Sequence, residues 1–331
     1  MRAPEFWQRG SASPWPRLLT PAAWIWQGAS WLRWRLATPK RAPIPVVCIG
    51  NLVAGGAGKT PTAIAVARRL LHKGRKVHFL TRGYGGSLRG PLQVDVAKHD
   101  ARAVGDEALL LAAVAPTWVA RNRYRGALAA AAAGAEVLVM DDGLQNPGLA
   151  KTLSLLVIDA GFGIGNNRII PAGPLREPVR TGLARADAVV LIGDLKPDAS
   201  PELTRRTMSG KPLLRAWLVP DTATAPFAGK PVVAFAGIGR PQKFFDTLAA
   251  INCKTVATRS FPDHHFYQPD EIMQLAQAAD RAGASLVTTA KDWVRLPAAA
   301  RPMVQVLRVD LEFAEEGAID MLLRRLPRVQ A

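Results

Sequence analysis

The chain has 331 residues, of which 49% are hydrophobic and 21% charged, and these values exclude a disordered chain and leave room for two domains. Its two cysteines, Cys48 and Cys253, exclude a dense disulfide framework and favour a reducing compartment. The net charge of +17 indicates an anionic partner, such as nucleic acid, a phosphorylated substrate or an acidic membrane. No DNA- or RNA-binding signature accompanies this charge, so we expect no nucleic-acid partner.

Residues 1–41 combine tryptophan with basic side chains. They contain six of the nine tryptophans, seven basic residues and one acid, Glu5. Pro21 and Arg33 argue against a transmembrane span, and no signal-peptide layout is present. An apolar stripe edged by tryptophan and arginine is typical of a helix in a membrane interface. The alternative is a helix packed on the protein's own core. Drawn as a helix, the stripe comprises Leu18, Ala22, Ile25, Ala29, Leu32 and Leu36.

Residues 45–62, PVVCIGNLVAGGAGKTPT, predict a strand, a glycine-rich loop and a helix. This is the layout of a phosphate-binding P-loop, in which backbone N–H groups and the helix N-terminus face phosphate oxygens. Lys59 is placed to reach the β- and γ-phosphates, and the Thr60 hydroxyl to bind Mg²⁺. The strict motif has glycine where this chain has Val53. An ordinary glycine turn is the alternative.

The rest of the chain alternates between β-rich runs and helices, which predicts a mostly parallel sheet covered on both faces. A Pro/Thr-rich segment, 219–226, has the composition of a linker, and a shorter alternating set follows it. We therefore predict three parts: an amphipathic membrane-interface helix (1–41), a P-loop α/β domain (42–226) and a smaller α/β domain (227–331). Strands are predicted at 45–49, 76–81, 117–120, 136–141, 153–159, 188–192, 213–219, 231–236, 254–257, 285–289 and 304–309, and helices at 60–72, 105–114, 123–133, 180–185, 242–250, 269–281 and 315–326.

Three acidic or histidine-containing segments are candidates for chemistry. Residues 136–142, EVLVMDD, resemble a Walker B strand whose aspartate, Asp141 or Asp142, holds Mg²⁺. Asp106 and Glu107 open a helix, where they could act as a general base and a metal-associated acid or simply complement the helix dipole. The segment 262–265, which contains His264, could tune a proton acceptor or form a surface turn.

Two Pro- or Gly-rich loops follow predicted strands and carry charged or polar side chains. One contains Asn166, Arg176 and Glu177, and the other begins at Arg82. Loops at the rim of a sheet can bind anions.

Taken together, these motifs resemble those of the tetraacyldisaccharide 4′-kinases, the lipid A 4′-kinases of Gram-negative bacteria. The resemblance covers about residues 44–295, and the Trp-rich N-terminus is similar to the family's membrane-associated helix. Leu144, Asn146 and Ala290 depart from the family pattern. The matching segments are 50–61, 82–85, 105–107, 141–145, 171–178, 236–245, 261–265 and 291–292.

The resemblance implies transfer of the γ-phosphate of ATP to the 4′-hydroxyl of an acylated glucosamine disaccharide 1-phosphate, at the cytoplasmic face of the inner membrane. It implies Mg²⁺ as cofactor and an anionic membrane surface as partner. The rival interpretation is a membrane-associated P-loop ATPase. The implied roles are catalysis for Asp106, His264, Lys59 and Asp142; nucleotide binding for Val53, Ala54, Gly55, Gly56, Ala57, Gly58, Lys59, Thr60 and Gln145; metal binding for Thr60, Glu107, Asp141 and Asp142; and substrate contact for Arg82, Asn166, Arg176 and Glu177.

Overall fold

The computed structural model describes residues 4–8, 10–194, 210–221 and 226–328. Residues 222–225 of the predicted linker lie outside this part of the chain, as do Arg2 and Arg9 of the basic N-terminal set. Two sheets organise the described residues and define two lobes. We call residues 42–194, 210–221 and 309–328 the first lobe, and residues 226–307 the second lobe.

The first lobe is built on a nine-stranded sheet within the described residues, with the order β13-β8-β7-β6-β1-β5-β2-β4-β3. All neighbouring strands are parallel except at the two edges, where β13 and β3 run antiparallel to β8 and β4. This confirms the predicted mostly parallel α/β fold. The strands are β1 (Val46–Gly50), β2 (Val77–Thr81), β3 (Leu92–Gln93), β4 (Thr117–Val119), β5 (Val137–Asp141), β6 (Leu153–Asp159), β7 (Ala188–Ile192), β8 (Leu213–Pro220) and β13 (Val309–Phe313).

Helices cover both faces of this sheet, so its central strands are apolar on both sides. In β5, Leu138 and Met140 join a core with α6 and α7, whereas Val137 and Val139 join the core against α3. This alternation fixes which way Asp141 points at the end of the strand. The helices are α3 (Lys59–His72), α4 (Ala101–Val104), α5 (Asp106–Ala112), α6 (Arg123–Ala132) and α7 (Val179–Ala184).

The second lobe is a parallel sheet of four strands in the described residues, with the order β10-β9-β11-β12. One of its cores is aromatic, with Phe235 packed edge-on against both Phe261 and Tyr267. Its elements are β9 (Pro231–Ala236), α8 (Pro241–Ala250), β10 (Lys254–Ser260), α9 (Pro269–Arg281), β11 (Ser285–Thr289), α10 (Ala290–Trp293) and β12 (Gln305–Leu307).

The C-terminal residues return to the first lobe, which differs from the predicted boundary that assigned all of 227–331 to the smaller domain. The predicted strand 304–309 is divided: β12 stays in the second sheet, and β13 begins at Val309 and pairs with β8. Helix α11 (Glu316–Arg324) then buries Ile319 and Leu322 in the core that contains α3. The C-terminal residues follow the second lobe in sequence, but they pack on the first sheet because their apolar side chains are buried there.

The N-terminal segment forms a short helix, α1 (Trp15–Leu18), and a longer one, α2 (Thr20–Leu36). Among the residues of α2, Ala23 alone is buried. Ile25 and Leu36 are each 75% exposed, and Trp24 is 67% exposed. This exposure contradicts the alternative of a helix packed on the protein's own core. No helix among the described residues is long and apolar enough to cross a membrane.

Candidate active site

The glycine-rich loop connects β1 to α3 as the sequence predicts. Gly58 precedes the first residue of α3 with φ +83°, and a Cβ there would lie 2.4 Å from Ile192 Cδ1, so this turn requires glycine. Inside the loop, Asn51 Nδ2 donates to the Val53 carbonyl (2.8 Å). Lys59, the first helical residue, is 8% exposed. The glycine-rich loop therefore ends at the N-terminus of α3, a position that suits an anion.

Val53 stands where the strict motif has glycine, and the structure explains this departure. Val53 is 5% exposed and pairs with Leu175 in an antiparallel bridge. The next residue, Ala54, donates its backbone N–H to Pro174 O (2.8 Å), and Arg176 N donates to Leu52 O (2.7 Å). Extended backbone at this position needs no glycine, so valine is tolerated. The pairing also fixes the 171–178 loop beside the P-loop.

The two adjacent aspartates at the end of β5 occupy opposite electrostatic environments. Asp141 is fully buried, its Oδ2 accepts from Thr60 Oγ1 (2.8 Å), and its Oδ1 has no hydrogen-bond partner in the described residues. Burial, assisted by the charge of Glu107, raises the pKa of Asp141 to about 7. A buried carboxylate oxygen without a donor is suited to a cation.

Asp142 turns away from Asp141 because it adopts a left-handed conformation, with φ 53°. Its Oδ1 accepts from Arg176 Nη1 (2.7 Å) and lies 3.8 Å from Lys59 Nζ. Burial opposes ionisation, but the charges of Lys59 and Arg176 outweigh it and lower the pKa of Asp142 to about 2. Asp142 is therefore a fixed negative charge that orients two cations at the lip of the P-loop.

Asp106 and His264 meet across the two lobes. Asp106 begins α5 directly after Gly105, which has φ +86° and whose Cβ would lie 2.4 Å from Tyr84 O. His264 Nδ1 donates to Asp106 Oδ2 (2.9 Å), and the His264 backbone N–H donates to Gly237 O (3.1 Å). Burial alone would raise the pKa of Asp106, but the hydrogen bond from His264 and the charges of Lys291 and Arg295 hold it below its ordinary value. Asp106 is therefore a buried, ionised carboxylate.

The second lobe also contributes Arg295, which the sequence analysis did not single out. Arg295 is 1% exposed on its side chain, and its Nε lies 3.5 Å from Asp106 Oδ2. Its Nη2 donates to Gly237 O (2.9 Å) and to Asp292 Oδ1 (2.8 Å). Asp292 in turn accepts from the Tyr267 hydroxyl (2.6 Å). A single arginine forms no recognisable motif, so the sequence pointed to this region only through the family match at residues 291–292.

Glu107, predicted as a metal-associated acid, points toward the second lobe as well as toward Asp141. Lys291 Nζ lies 3.3 Å from Glu107 Oε1, and its pKa is raised because Glu107 and Asp106 outweigh the effect of burial. The structure therefore brings Asp106, Glu107, Asp141 and Asp142 to the same edge of the first sheet, at the carboxyl ends of its strands.

Gln145 and Glu177 lie in one hydrogen-bond network behind Arg176. Gln145 Nε2 donates to Asn51 O (2.8 Å) and Glu177 Oε1 (2.9 Å), and Gln145 Oε1 accepts from Arg176 Nη1 (3.2 Å). Glu177 is 5% exposed and forms an ion pair with Arg185. This network holds the Arg176 guanidinium against Asp142.

The other two predicted substrate residues, Asn166 and Arg82, differ in their surroundings. Asn166 Nδ2 donates to Phe6 O (2.9 Å) and Ala172 O (3.0 Å), so its amide ties the N-terminal segment to the 166–176 loop. Arg82 is exposed after β2. Behind it lies Arg123, 5% exposed, whose Nη1 donates to Ala120 O (2.6 Å) and whose Nε has no partner in the described residues. Burial and the charge of Arg82 lower the pKa of Arg123 to about 10.

Helix α2 contacts the same loops through its polar groups. Arg33 Nη2 donates to Gln145 O (2.5 Å), and Trp26 Nε1 donates to Arg176 O (3.3 Å). The Arg185 guanidinium carbon lies 4.1 Å from the centroid of the Trp34 ring. The helix therefore faces the candidate site on one side and exposes apolar residues on the other.

This fold and these residues define a P-loop α/β protein with a nucleotide site of the phosphoryl-transfer class. The family model described as "Tetraacyldisaccharide-1-P 4'-kinase" matches residues 15–327. The chain belongs to this family of phosphotransferases.

Individual relatives are similar over nearly the whole chain. A protein of Rhodospirillum centenum named "Tetraacyldisaccharide 4'-kinase" is 52% identical over 330 residues, covering 98% of this chain and 97% of that protein. One of the same name from Gluconacetobacter diazotrophicus is 53% identical over 324 residues, covering 98% and 97%. A crystal structure of LpxK from Aquifex aeolicus in complex with ATP superposes with a TM-score of 0.73 at 26% identity, covering 94% of this chain and 99% of that one.

Proposed function

We propose that this protein transfers the γ-phosphate of ATP to the 4′-hydroxyl of a tetraacylated glucosamine disaccharide 1-phosphate and so produces lipid IVA. The observation that carries the proposal is the Asp106–His264 contact, 2.9 Å long, beside a P-loop and the Asp141–Asp142 pair. An enzyme that only hydrolysed ATP would have no need of a buried base facing an acceptor hydroxyl. The names of the relatives supply the substrate, and their similarity extends over the whole chain.

Asp106 acts as the general base in this proposal. Its carboxylate stays ionised at neutral pH because its pKa lies below the ordinary value. It accepts the proton of the 4′-hydroxyl as the oxygen approaches the γ-phosphorus, the role that a catalytic-loop aspartate has in protein kinases. His264 orients the Asp106 carboxylate through a hydrogen bond to Oδ2. Arg295, which lies in the second lobe like His264, also contacts Oδ2.

ATP binds with its phosphates on the loop that contains Val53, Ala54, Gly55, Gly56, Ala57 and Gly58, and Lys59 reaches the β- and γ-phosphates. The residues present fit Mg²⁺, because Asp141 Oδ1 is buried without a donor in the described residues and Thr60 Oγ1 is adjacent to Oδ2. No group of three or more His, Cys, Asp or Glu in the described chain is placed to hold a metal, and Mg²⁺ needs only one or two carboxylates with water and phosphate oxygens.

Thr60 and Asp141 would hold the Mg²⁺ ion, with Glu107 and Asp142 near it. When bound, the ion neutralises charge on the β- and γ-phosphates. Arg176 would contact phosphate after release from Asp142. Gln145 would hold the Arg176 guanidinium in position through its hydrogen bond. Arg82 would contact the anionic disaccharide at the edge of the site. Asn166 and Glu177 would hold the 166–177 loop in place beside the substrate through the hydrogen bonds and the ion pair described above.

We propose that the exposed face of α2 lies in the anionic cytoplasmic surface of the bacterial inner membrane, where the glycolipid substrate resides. The support is the exposure of Ile25 and Leu36, at 75% each, beside exposed tryptophans and basic residues. Each Lys or Arg near such a surface is worth about 1 kcal/mol.

Vesicle binding tests the membrane proposal directly. Ile25→Asp should reduce co-sedimentation with anionic vesicles and leave the chain folded, because Ile25 has no role in the core. Met321→Asp, at a residue that is 62% exposed on α11, is the matched control and should sediment like the parent protein. Equal sedimentation of the two variants would contradict the assignment of α2 as the membrane contact.

Product analysis tests the kinase. The purified protein is incubated with γ-labelled ATP, Mg²⁺ and tetraacyldisaccharide 1-phosphate in detergent. We expect label in the lipid. Label released only as free phosphate would favour the membrane-associated ATPase, and no turnover with intact nucleotide binding would favour a non-enzymatic regulator.

A further inference from the structure

A second set of contacts joins the two lobes at a distance along the chain from the Asp106–His264 pair. Asp159, the last residue of β6, forms ion pairs with Arg240 and Lys243, which lie at the start of α8 in the second lobe. Arg240 Nη1 is 3.1 Å from Asp159 Oδ1, and Lys243 Nζ bonds Oδ2. We call Asp159, Arg240 and Lys243 the interlobe latch.

Within the described residues, the buried carboxylate of Asp159 has its cationic partners in the second lobe. The carboxylate is 5% exposed, and the donors from its own lobe are the backbone N–H groups of Gly161 (2.9 Å) and Phe162 (3.1 Å), both to Oδ1. Every cation that contacts it in the described residues comes from the second lobe. Because a buried carboxylate without a cation is costly, separation of the lobes is opposed at this point.

Arg240 also rests on the nucleotide loop. Its Nη2 donates to Gly56 O (2.8 Å), and its guanidinium carbon lies 5.0 Å from the centroid of the Phe162 ring. The residue before it, Gly239, also lies beside this loop, since a Cβ there would be in van der Waals contact with Gly56 N at 3.9 Å. The second lobe therefore contacts the backbone of the P-loop at Gly56.

One short segment connects the latch to the catalytic pair. Residues 237–240 follow β9, and Gly237 at the start of this segment accepts hydrogen bonds from His264 N (3.1 Å) and Arg295 Nη2 (2.9 Å). Arg240 at its end binds Asp159 and Gly56. A shift of this segment away from the P-loop would move the backbone that holds His264 and Arg295 beside Asp106.

We propose that the interlobe latch sets the closed position of the second lobe, so that Asp159 and Arg240 are positioning residues for the transfer step. They fix the 237–240 segment on the P-loop and thereby keep His264 beside Asp106. This inference rests on the proposed kinase function for its activity readout, and on geometry alone for its distance readout.

The test uses the full chain with Asp159→Asn, Arg240→Gln and the double variant. Spin labels at Leu128→Cys in α6 and Met273→Cys in α9 report the distance between the lobes, since both positions are exposed and the native cysteines are buried. With a non-hydrolysable ATP analogue bound, each latch variant should give a longer and broader distance distribution. Arg240→Lys should restore most of the short distance, because it keeps the charge.

Turnover supplies the second readout. Each single variant should lower kcat by about tenfold, within the usual range of coupling between sites. The double variant should lose less kcat than the product of the two single losses, because each single variant already removes the shared Asp159–Arg240 ion pair. Arg68→Gln removes an ion pair of 2.6 Å to Asp310 inside the first lobe and should change neither readout.

Unchanged distance distributions in both single variants would overturn the latch, as would kcat losses that multiply in the double variant. The distance readout requires no phosphate transfer, so a failure of the latch is distinguishable from a failure of the kinase proposal. Thermal melting of each variant identifies any that fails to fold, and the distance distribution of the single variant that does fold then decides the question.

Discussion

The nucleotide half and the acceptor half of the candidate site are held in different ways. Lys59, Thr60, Asp141 and Asp142 follow β1 and β5, which are neighbouring strands of one sheet, so strand register fixes their distances. Asp106 and His264 belong to different lobes, so the distance between them depends on how the two lobes dock. The geometry of the first half is therefore set by the fold of one sheet, whereas the geometry of the second half depends on the docking of the two lobes. Variants in the two halves should separate nucleotide binding from turnover.

The largest effect is expected for Lys59→Ala in the nucleotide half. Loss of a preorganised cation at the transferring phosphate costs about 10²–10³ in kcat. Nucleotide affinity should fall as well, because Lys59 also contacts bound phosphates. Steady-state kinase assays and titration with a fluorescent ATP analogue measure both. The control is Lys73→Ala just after the same helix, where the side chain pairs with Asp320 at 2.8 Å. Full activity of Lys59→Ala would remove the P-loop from the mechanism.

Asp106→Asn should lower kcat by about 10²–10⁴, the contribution typical of a general base, and leave the dissociation constant for ATP unchanged. This outcome would separate the acceptor half from the nucleotide half. Asparagine keeps the shape and the hydrogen bond from Glu107 N, 2.8 Å in the parent protein, so the helix start is preserved. Unchanged turnover would show that Asp106 is not the base, and an equal loss of ATP affinity would place it in the nucleotide half.

His264→Ala should be milder than Asp106→Asn. Removal of a hydrogen bond to a charged group costs about 1.5–3 kcal/mol, which corresponds to about 10–100-fold in kcat. His265→Ala is a matched control, because that ring pairs with Glu271 at 2.9 Å and stacks on Phe261 within the second lobe. A larger loss for His264→Ala than for Asp106→Asn would reverse the proposed roles and make His264 the primary acceptor.

The contrast between a half held by one sheet and a half held by the docking of two lobes also explains which features could be predicted from the sequence. The P-loop, the Walker B strand and the alternation of strands and helices are local patterns, and the structure places them as expected. Val53 was an unexplained departure because its partner, Leu175, lies far along the chain. The return of β13 to the first sheet is a pairing with β8 that no local pattern encodes.

Contacts between the lobes were the least predictable part of the site. The resemblance implied catalytic roles for both Asp106 and His264, but no sequence pattern pointed to Arg295 or to the interlobe latch. Asp159 reads as the ordinary end of a strand, and Arg240 as a basic residue before a helix. Their significance depends on docking two surfaces, and side-chain type alone does not determine which surfaces meet.

The smallest effect concerns the pH dependence of stability at Asp159. Burial would raise the pKa of this carboxyl, but Arg240 and Lys243 outweigh it and hold the pKa below its ordinary value. A carboxyl with a lowered pKa stabilises the folded state above the unfolded pKa of about 3.9 and loses that contribution as the pH falls through the folded pKa.

The amide introduced by Asp159→Asn does not titrate, so the melting temperature of this variant should lie below that of the parent protein at pH 7, by about 2 °C. Thermal melting at a series of pH values should show this difference shrinking below about pH 4, which is near the unfolded pKa. A constant difference across that range would mean that Asp159 contributes through packing and not through its charge.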